Sequence, residues 1–166
     1  PKDLGAIITL ADLFPGARVL EAGCGSGSMT IAILRSIGEG GHLFSYDIRE
    51  DMINMAKANV AAIIPGTPPV DFKIGDVYKG TEELNLDRII LDLPEPWHIL
   101  PHASKSLVPG GIILCFLPTI LQVHKLVQEL KIQKTFAVIN TAEILMRPWH
   151  LSNRSVRPEQ RMVGHT

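Results

Sequence analysis

Four acidic residues and one glycine loop carry the reactive chemistry of this sequence. The run Val19-Leu20-Glu21-Ala22-Gly23-Cys24-Gly25-Ser26-Gly27-Ser28-Met29-Thr30 leads a β-rich segment through Gly-x-Gly-x-Gly into a helical pattern. Glycines let the backbone turn sharply and let a ligand approach closely. The helix start behind them offers unpaired N–H groups and a positive dipole end, which stabilise an anionic group. An ordinary tight turn would use the same residues. Asp47 ends the next β-rich run, twenty residues after Gly27. A carboxylate there can accept both hydroxyls of a ribose, or cap the helix that follows. Asp76, in Ile74-Gly75-Asp76-Val77, ends a third run and can accept from an adenine amino group or close a turn. Asp92 ends a fourth, in Leu91-Asp92-Leu93-Pro94-Glu95-Pro96-Trp97, where two prolines stiffen the backbone.

Elements of alternating type must hold these residues. Helical patterns cover Leu4 to Phe14, Ser28 to Ile37, Glu50 to Ile64, His98 to Leu107 and Ile120 to Leu130. Strand-like runs cover Ala17 to Ala22, His42 to Asp47, Val70 to Ile74, Asp87 to Asp92 and Ile112 to Leu117. Pro109-Gly110 reads as a turn, Phe136 to Met146 contains a sixth strand, and Arg161 to Thr166 begins another. The alternation predicts an α/β fold: a Rossmann-like, doubly wound, mostly parallel sheet of about seven strands with helices on both faces. Strands such as Arg88 to Leu91 read as continuous apolar runs, the pattern of strands covered on both faces. In such sheets ligands bind along the carboxyl edge, where the glycine loop, Asp47 and Asp76 all fall. Together they favour an adenosine-containing cofactor.

The remaining composition narrows the class. The chain has 166 residues and a net charge of −1, enough for one domain with a real core. No apolar run spans a bilayer and no secretory signal opens the chain. Cys24 and Cys115 stand apart, one in the loop and one in a strand, which points to a reducing, cytoplasmic setting. No Cys/His spacing suggests a metal site. The end from Arg147 to Thr166 holds four Arg against one Glu, and is either an RNA-facing patch or a solvated tail.

Dinucleotide enzymes usually carry Gly-x-Gly-x-x-Gly, and the spacing here differs. The loop, with Glu21 before it, resembles motif I of the class I S-adenosylmethionine-dependent methyltransferases. The opening Pro1-Lys2-Asp3-Leu4-Gly5-Ala6, the run Ser45 to Asp51, the block Leu91 to Trp97 and the ending Arg157 to Thr166 resemble one family more specifically. These are the tRNA (adenine-N1) methyltransferases that act on the T-loop at adenine 58. The resemblance covers essentially all of 1–166 as one catalytic domain. The family often has Glu at the position of Asp47, and it carries a small β domain ahead of the catalytic domain that is not in this sequence.

The resemblance implies S-adenosylmethionine as cofactor, with Gly23, Gly25, Ser26, Gly27, Ser28 and Met29 facing its methionine part and Glu21 helping to hold its amino group. It places Asp47, Ile48 and Arg49 at the ribose, Asp76 and Val77 at the adenine, and Asp92 beside the reactive methyl. Asp92 would accept from the target adenine's N6 amino group, orient the base and take a proton. The adenine must be extruded from tRNA, with Tyr78 and Trp97 as stacking candidates and Pro94 alongside. Arg154 and Arg161 are candidate phosphate contacts, and His165 matches a position near the substrate. Relatives are homotetramers or catalytic subunits of hetero-oligomers. Two rival readings are a methyltransferase acting on protein or small molecules, and a non-catalytic partner subunit; intact Glu21, Asp47, Asp76 and Asp92 weigh against the latter.

Overall fold

The computed structural model describes residues 2–159. Helix α1 (Lys2–Leu10) is followed by strand β1 (Arg18–Ala22), α2 (Ser28–Ile37), β2 (His42–Asp47), α3 (Glu50–Ile63) and β3 (Val70–Ile74). A short 3-10 turn, Val77–Lys79, leads to β4 (Leu86–Leu91), and another, Pro96–His98, to α4 (Leu100–Ser106). Then come β5 (Leu107–Cys115), α5 (Ile120–Gln133) and the strands β6 (Trp149–Ser152) and β7 (Ser155–Pro158).

Five strands form one all-parallel sheet in the order β3-β2-β1-β4-β5. The order reverses between β1 and β4, and that switch point opens a crevice at the carboxyl ends of the strands. Strand residues alternate between two cores. Val19, Leu43 and Ile90 pack with Ile7, Ile33 and Ile37 of α1 and α2. Leu20, Phe44, Ile89 and Leu91 pack with Ile99 and Ala103 around α4. Helices therefore cover both faces, as the apolar runs predict.

Three expectations change. The sheet has five strands rather than about seven, and β6 and β7 form a separate antiparallel pair. The strand expected within Phe136 to Met146 is absent: residues 134–145 have no regular structure, and Val138 has φ 54, a left-handed conformation that breaks an extended run. The turn expected at Pro109-Gly110 lies inside β5, where the β4 register shifts between Leu86 and Arg88. Among the described residues β5 pairs only with β4, so a proline and a local irregularity cost it little. The strand start expected at Arg161 to Thr166 lies outside the described residues.

Candidate active site

The crevice holds two adjoining hollows that share Gly23. The first is bordered by Asp47, Ile48, Asp76, Val77, Tyr78 and Pro94. The second is bordered by Asp3, Leu4, Gly25, Ser26, Ser28, Met29 and Asp92, among others. Three of the four acidic residues singled out in the sequence thus meet along one rim.

The partition between the hollows is made by close backbone approach. Gly23 has φ +85, and a Cβ there would sit 2.2 Å from the carbonyl oxygen of Asp92. The amide of Asp92 donates to the Ala22 carbonyl at 2.9 Å, which continues the β1–β4 pairing past the last strand residues. Gly27, at φ 84, precedes α2 without a side-chain cap. The first N–H groups of α2 therefore stay available beside Ser28 and Met29, in the second hollow.

Asp47 is held in place by its own loop. Its Oδ2 accepts from the Gly25 amide at 3.2 Å and its Oδ1 from the Arg49 amide at 3.0 Å. The Cys24 thiol also donates to Oδ2, at 3.8 Å, so of the roughly four acceptor sites of a carboxylate one remains, on Oδ1. Asp47 does not cap the helix that follows: Arg49 holds the cap position of α3, which has no side-chain cap. Asp76 caps the turn that follows it, its Oδ1 accepting from the Tyr78 amide at 3.1 Å. The floor beneath this side is braced: the Tyr46 hydroxyl donates to Glu83 at 2.7 Å, and Lys73 pairs with the same carboxylate.

Glu21 departs from its expected place. It is 1% exposed and borders neither hollow. The hydroxyls of Thr30 and Ser45 each donate to its Oε2 at 2.7 Å, which ties α2 and β2 to β1 under the loop. Its Oε1 has no hydrogen-bond partner among the described residues. Burial pushes its pKa up to about 7, against the pull of those two hydroxyls and with the charges of Asp92 and Asp47 adding to the rise. The alternation of β1 points this side chain into the protein. Cys24, buried beside it, is pushed up to about 12, chiefly by burial, and is inert as a nucleophile.

Two further expectations are corrected. Trp97 is not available for stacking: it is 8% exposed and packs with Leu100, Leu126 and Leu130, while the Lys125 ammonium sits 4.0 Å from its ring centroid. Apolar burial outweighed its position beside the crevice. Arg49 contributes its backbone to Asp47, but its guanidinium pairs with Asp51 at 2.6 Å and borders neither hollow. Arg154 is in the β6–β7 turn, also outside both hollows. Arg161 and His165 lie outside the described residues.

Sequence reasoning assigned no role to α1 at the site, yet Asp3 and Leu4 border the second hollow. The Pro1-Lys2-Asp3 opening was the available signal. It also missed the brace that holds α1. Arg88 is 7% exposed in β4, and its Nε donates to the Ala11 carbonyl at 2.6 Å while Nη2 pairs with Asp12 at 2.8 Å. An arginine inside an apolar run was the clue, since a buried guanidinium needs partners.

Comparison with known proteins agrees with this arrangement. The model of the family described as "tRNA methyltransferase complex GCD14 subunit" matches residues 1–165. The tRNA (adenine(57)-N(1)/adenine(58)-N(1))-methyltransferase TrmI of Methanocaldococcus jannaschii is 37% identical, over all of this chain and 67% of its own length. The tRNA (adenine(58)-N(1))-methyltransferase TrmI of Thermus thermophilus is 38% identical, over 100% of this chain and 65% of its own. Among solved structures, the tRNA (m1A58) methyltransferase TrmI of Aquifex aeolicus superposes with TM-score 0.86 at 31% identity, over 100% of this chain and 65% of that one. A SAM-dependent O-methyltransferase of Thermotoga maritima superposes with TM-score 0.89 at 32% identity, over 100% and 62%. The chain thus spans about two thirds of the length of these relatives. With its parallel sheet, its acidic rim and a match along nearly its whole length, the chain belongs to the GCD14-subunit family of the tRNA methyltransferase complex.

Proposed function

We propose that this chain is the catalytic domain of an S-adenosylmethionine-dependent enzyme that methylates N1 of adenine 58 in the T-loop of tRNA. One observation carries the reading: Asp47 and Asp76 border one hollow, Asp92 borders the next, and the two hollows share Gly23.

The residues present fit that cofactor. Asp47 retains acceptor capacity for a ribose hydroxyl, and the exposed apolar side chain of Ile48 offers a wall for a flat base. The uncapped start of α2 suits a carboxylate. When bound, the cofactor supplies an electrophilic methyl group. The chain's task is then to hold a nucleophile in line and keep water away. Adenine N1 has an in-plane lone pair and needs little activation. Asp92 accepts from the N6 amino group, orients the ring, stabilises the positive charge that develops on it and can take the N6 proton.

The substrate assignment follows the activities for which the 37% and 38% identical relatives are named. For assembly, we favour a homotetramer or a catalytic subunit within a hetero-oligomer. The apolar side chains of Trp149, Leu151 and Val156, 59–70% exposed, are consistent with a covered face. Among the described residues no helix is long and apolar enough to cross a membrane.

The test is nucleoside mass spectrometry of tRNA after reaction with the full-length protein. Formation of 1-methyladenosine is expected. Asp92→Ala should cut the rate by roughly 1,000-fold or more while cofactor affinity stays within about threefold, as for a group that acts mainly in the transition state. Labelled peptide or metabolite without labelled tRNA would overturn the assignment.

A further inference from the structure

Glu95 lies between Pro94 and Pro96, so its N–H is the one backbone donor in that tripeptide. The Tyr78 hydroxyl oxygen accepts it at 3.1 Å. On the other side, Gln122 Nε2 donates to the Pro94 carbonyl at 2.9 Å. The Gln122 carbonyl oxygen is itself fixed, accepting from the Thr119 hydroxyl at 2.6 Å. The segment carrying Asp92 is therefore gripped from two elements, the turn after β3 and the start of α5. Tyr78 does a second thing, because its amide donates to Asp76 Oδ1 at 3.1 Å. One residue joins the Asp76 carboxylate to the segment that follows Asp92. The ring does not lie open to a base on both sides: it meets His98 edge-on, centroids 5.6 Å apart at 64°.

We propose that Tyr78 is a positioning residue for methyl transfer: its hydroxyl fixes the segment 92–97, and its amide ties that segment to the Asp76 turn. This assignment replaces base stacking as the role of Tyr78, and it rests on the reading of Asp92 as the carboxylate that faces the target base. Small displacements are costly in such sites, about 100-fold for a misplacement near 1 Å. Losing one hydrogen bond loosens the segment without moving it that far, so a smaller effect is expected.

Tyr78→Phe separates the roles, since it keeps the ring and removes only the hydroxyl. In the full-length protein, kcat on tRNA should fall roughly five- to twentyfold, about the worth of one to two hydrogen bonds. KM for tRNA and the Kd for S-adenosylmethionine should stay within about twofold and Tm within a few degrees. Gln122→Ala, on the opposite grip, should give the same signature. Wild-type kcat in Tyr78→Phe with a loss only in Tyr78→Ala would overturn the proposal in favour of stacking. Weaker cofactor binding by Tyr78→Phe would overturn it in favour of a cofactor contact. Hydrogen exchange of the peptide spanning 92–97 reads the grip without any substrate. Faster exchange in both variants supports it, and unchanged exchange overturns it. If wild-type protein binds the cofactor but leaves tRNA unmodified, the function assignment fails, and the exchange result still decides the role of Tyr78.

Discussion

The two sides of the sheet are built differently. In β1 and β2 every residue past the first is buried except Asp47, and the residues after both strands border the crevice. In β5 none of the nine residues is fully buried, and the separate β6–β7 pair exposes Trp149, Leu151 and Val156. The strands beside the crevice are buried within this chain, whereas the β6–β7 pair leaves apolar side chains exposed. On the function proposed above, substitutions in these two regions should have different consequences.

The most severe contrast comes from two glycines with nearly the same backbone. Gly23 has φ +85 and would press a Cβ against Asp92, whereas Gly110 has φ +81 and nothing within 4 Å. Gly23→Ala should abolish measurable cofactor binding and cost about 3–5 kcal/mol of stability in urea unfolding. Gly110→Ala should cost only the backbone strain, about 1–2 kcal/mol, and leave binding intact. Equal losses would erase the distinction between the two glycines. Next in size, Asp47→Ala should weaken cofactor affinity by roughly 10- to 100-fold in calorimetry, the range for hydrogen bonds to a charged group. Unchanged affinity would remove Asp47 from the ribose.

Glu21 gives a pH signature. Its carboxyl is more basic in the folded chain, about 7 against an ordinary 4.5, so the fold binds its proton more tightly than the unfolded chain does. Its contribution is greatest below 4.5 and is lost as pH rises toward 7, at about 1.4 kcal/mol per pH unit. Glu21→Gln should flatten that slope and be the more stable protein at pH 8, as urea midpoints across pH 5–8 would show. A parallel shift of the whole profile would mean that Glu21 is ionised throughout. Smallest of all, Trp149→Ser in the β6–β7 pair should change cofactor affinity by less than about twofold, within the range of ordinary surface substitutions. A larger change would show that the two regions communicate.

The same division explains what the sequence made legible. Asp47, Asp76 and Asp92 follow directly from strand endings in a parallel sheet, because local pattern and topology agree there. The far side depends on pairing between distant segments, which periodicity does not encode; hence the strand expected in 136–146 and the misplaced turn at Pro109-Gly110. Trp97 was misassigned because position next to a crevice does not say which way a ring turns. Glu21 was placed at the right loop, but strand alternation turned it inward. The roles of Tyr78 and Arg88 lie in contacts with residues 17 and 77 positions away, and only coordinates bring these together.

The partition at Gly23 also limits how the enzyme can be re-engineered. The two hollows meet at main chain, where Gly23 faces the Asp92 carbonyl with no side chain there to trim. A transferable group bulkier than methyl must find its room by cutting back the outer walls, at Ile48 or Leu4, because the shared wall has nothing left to remove.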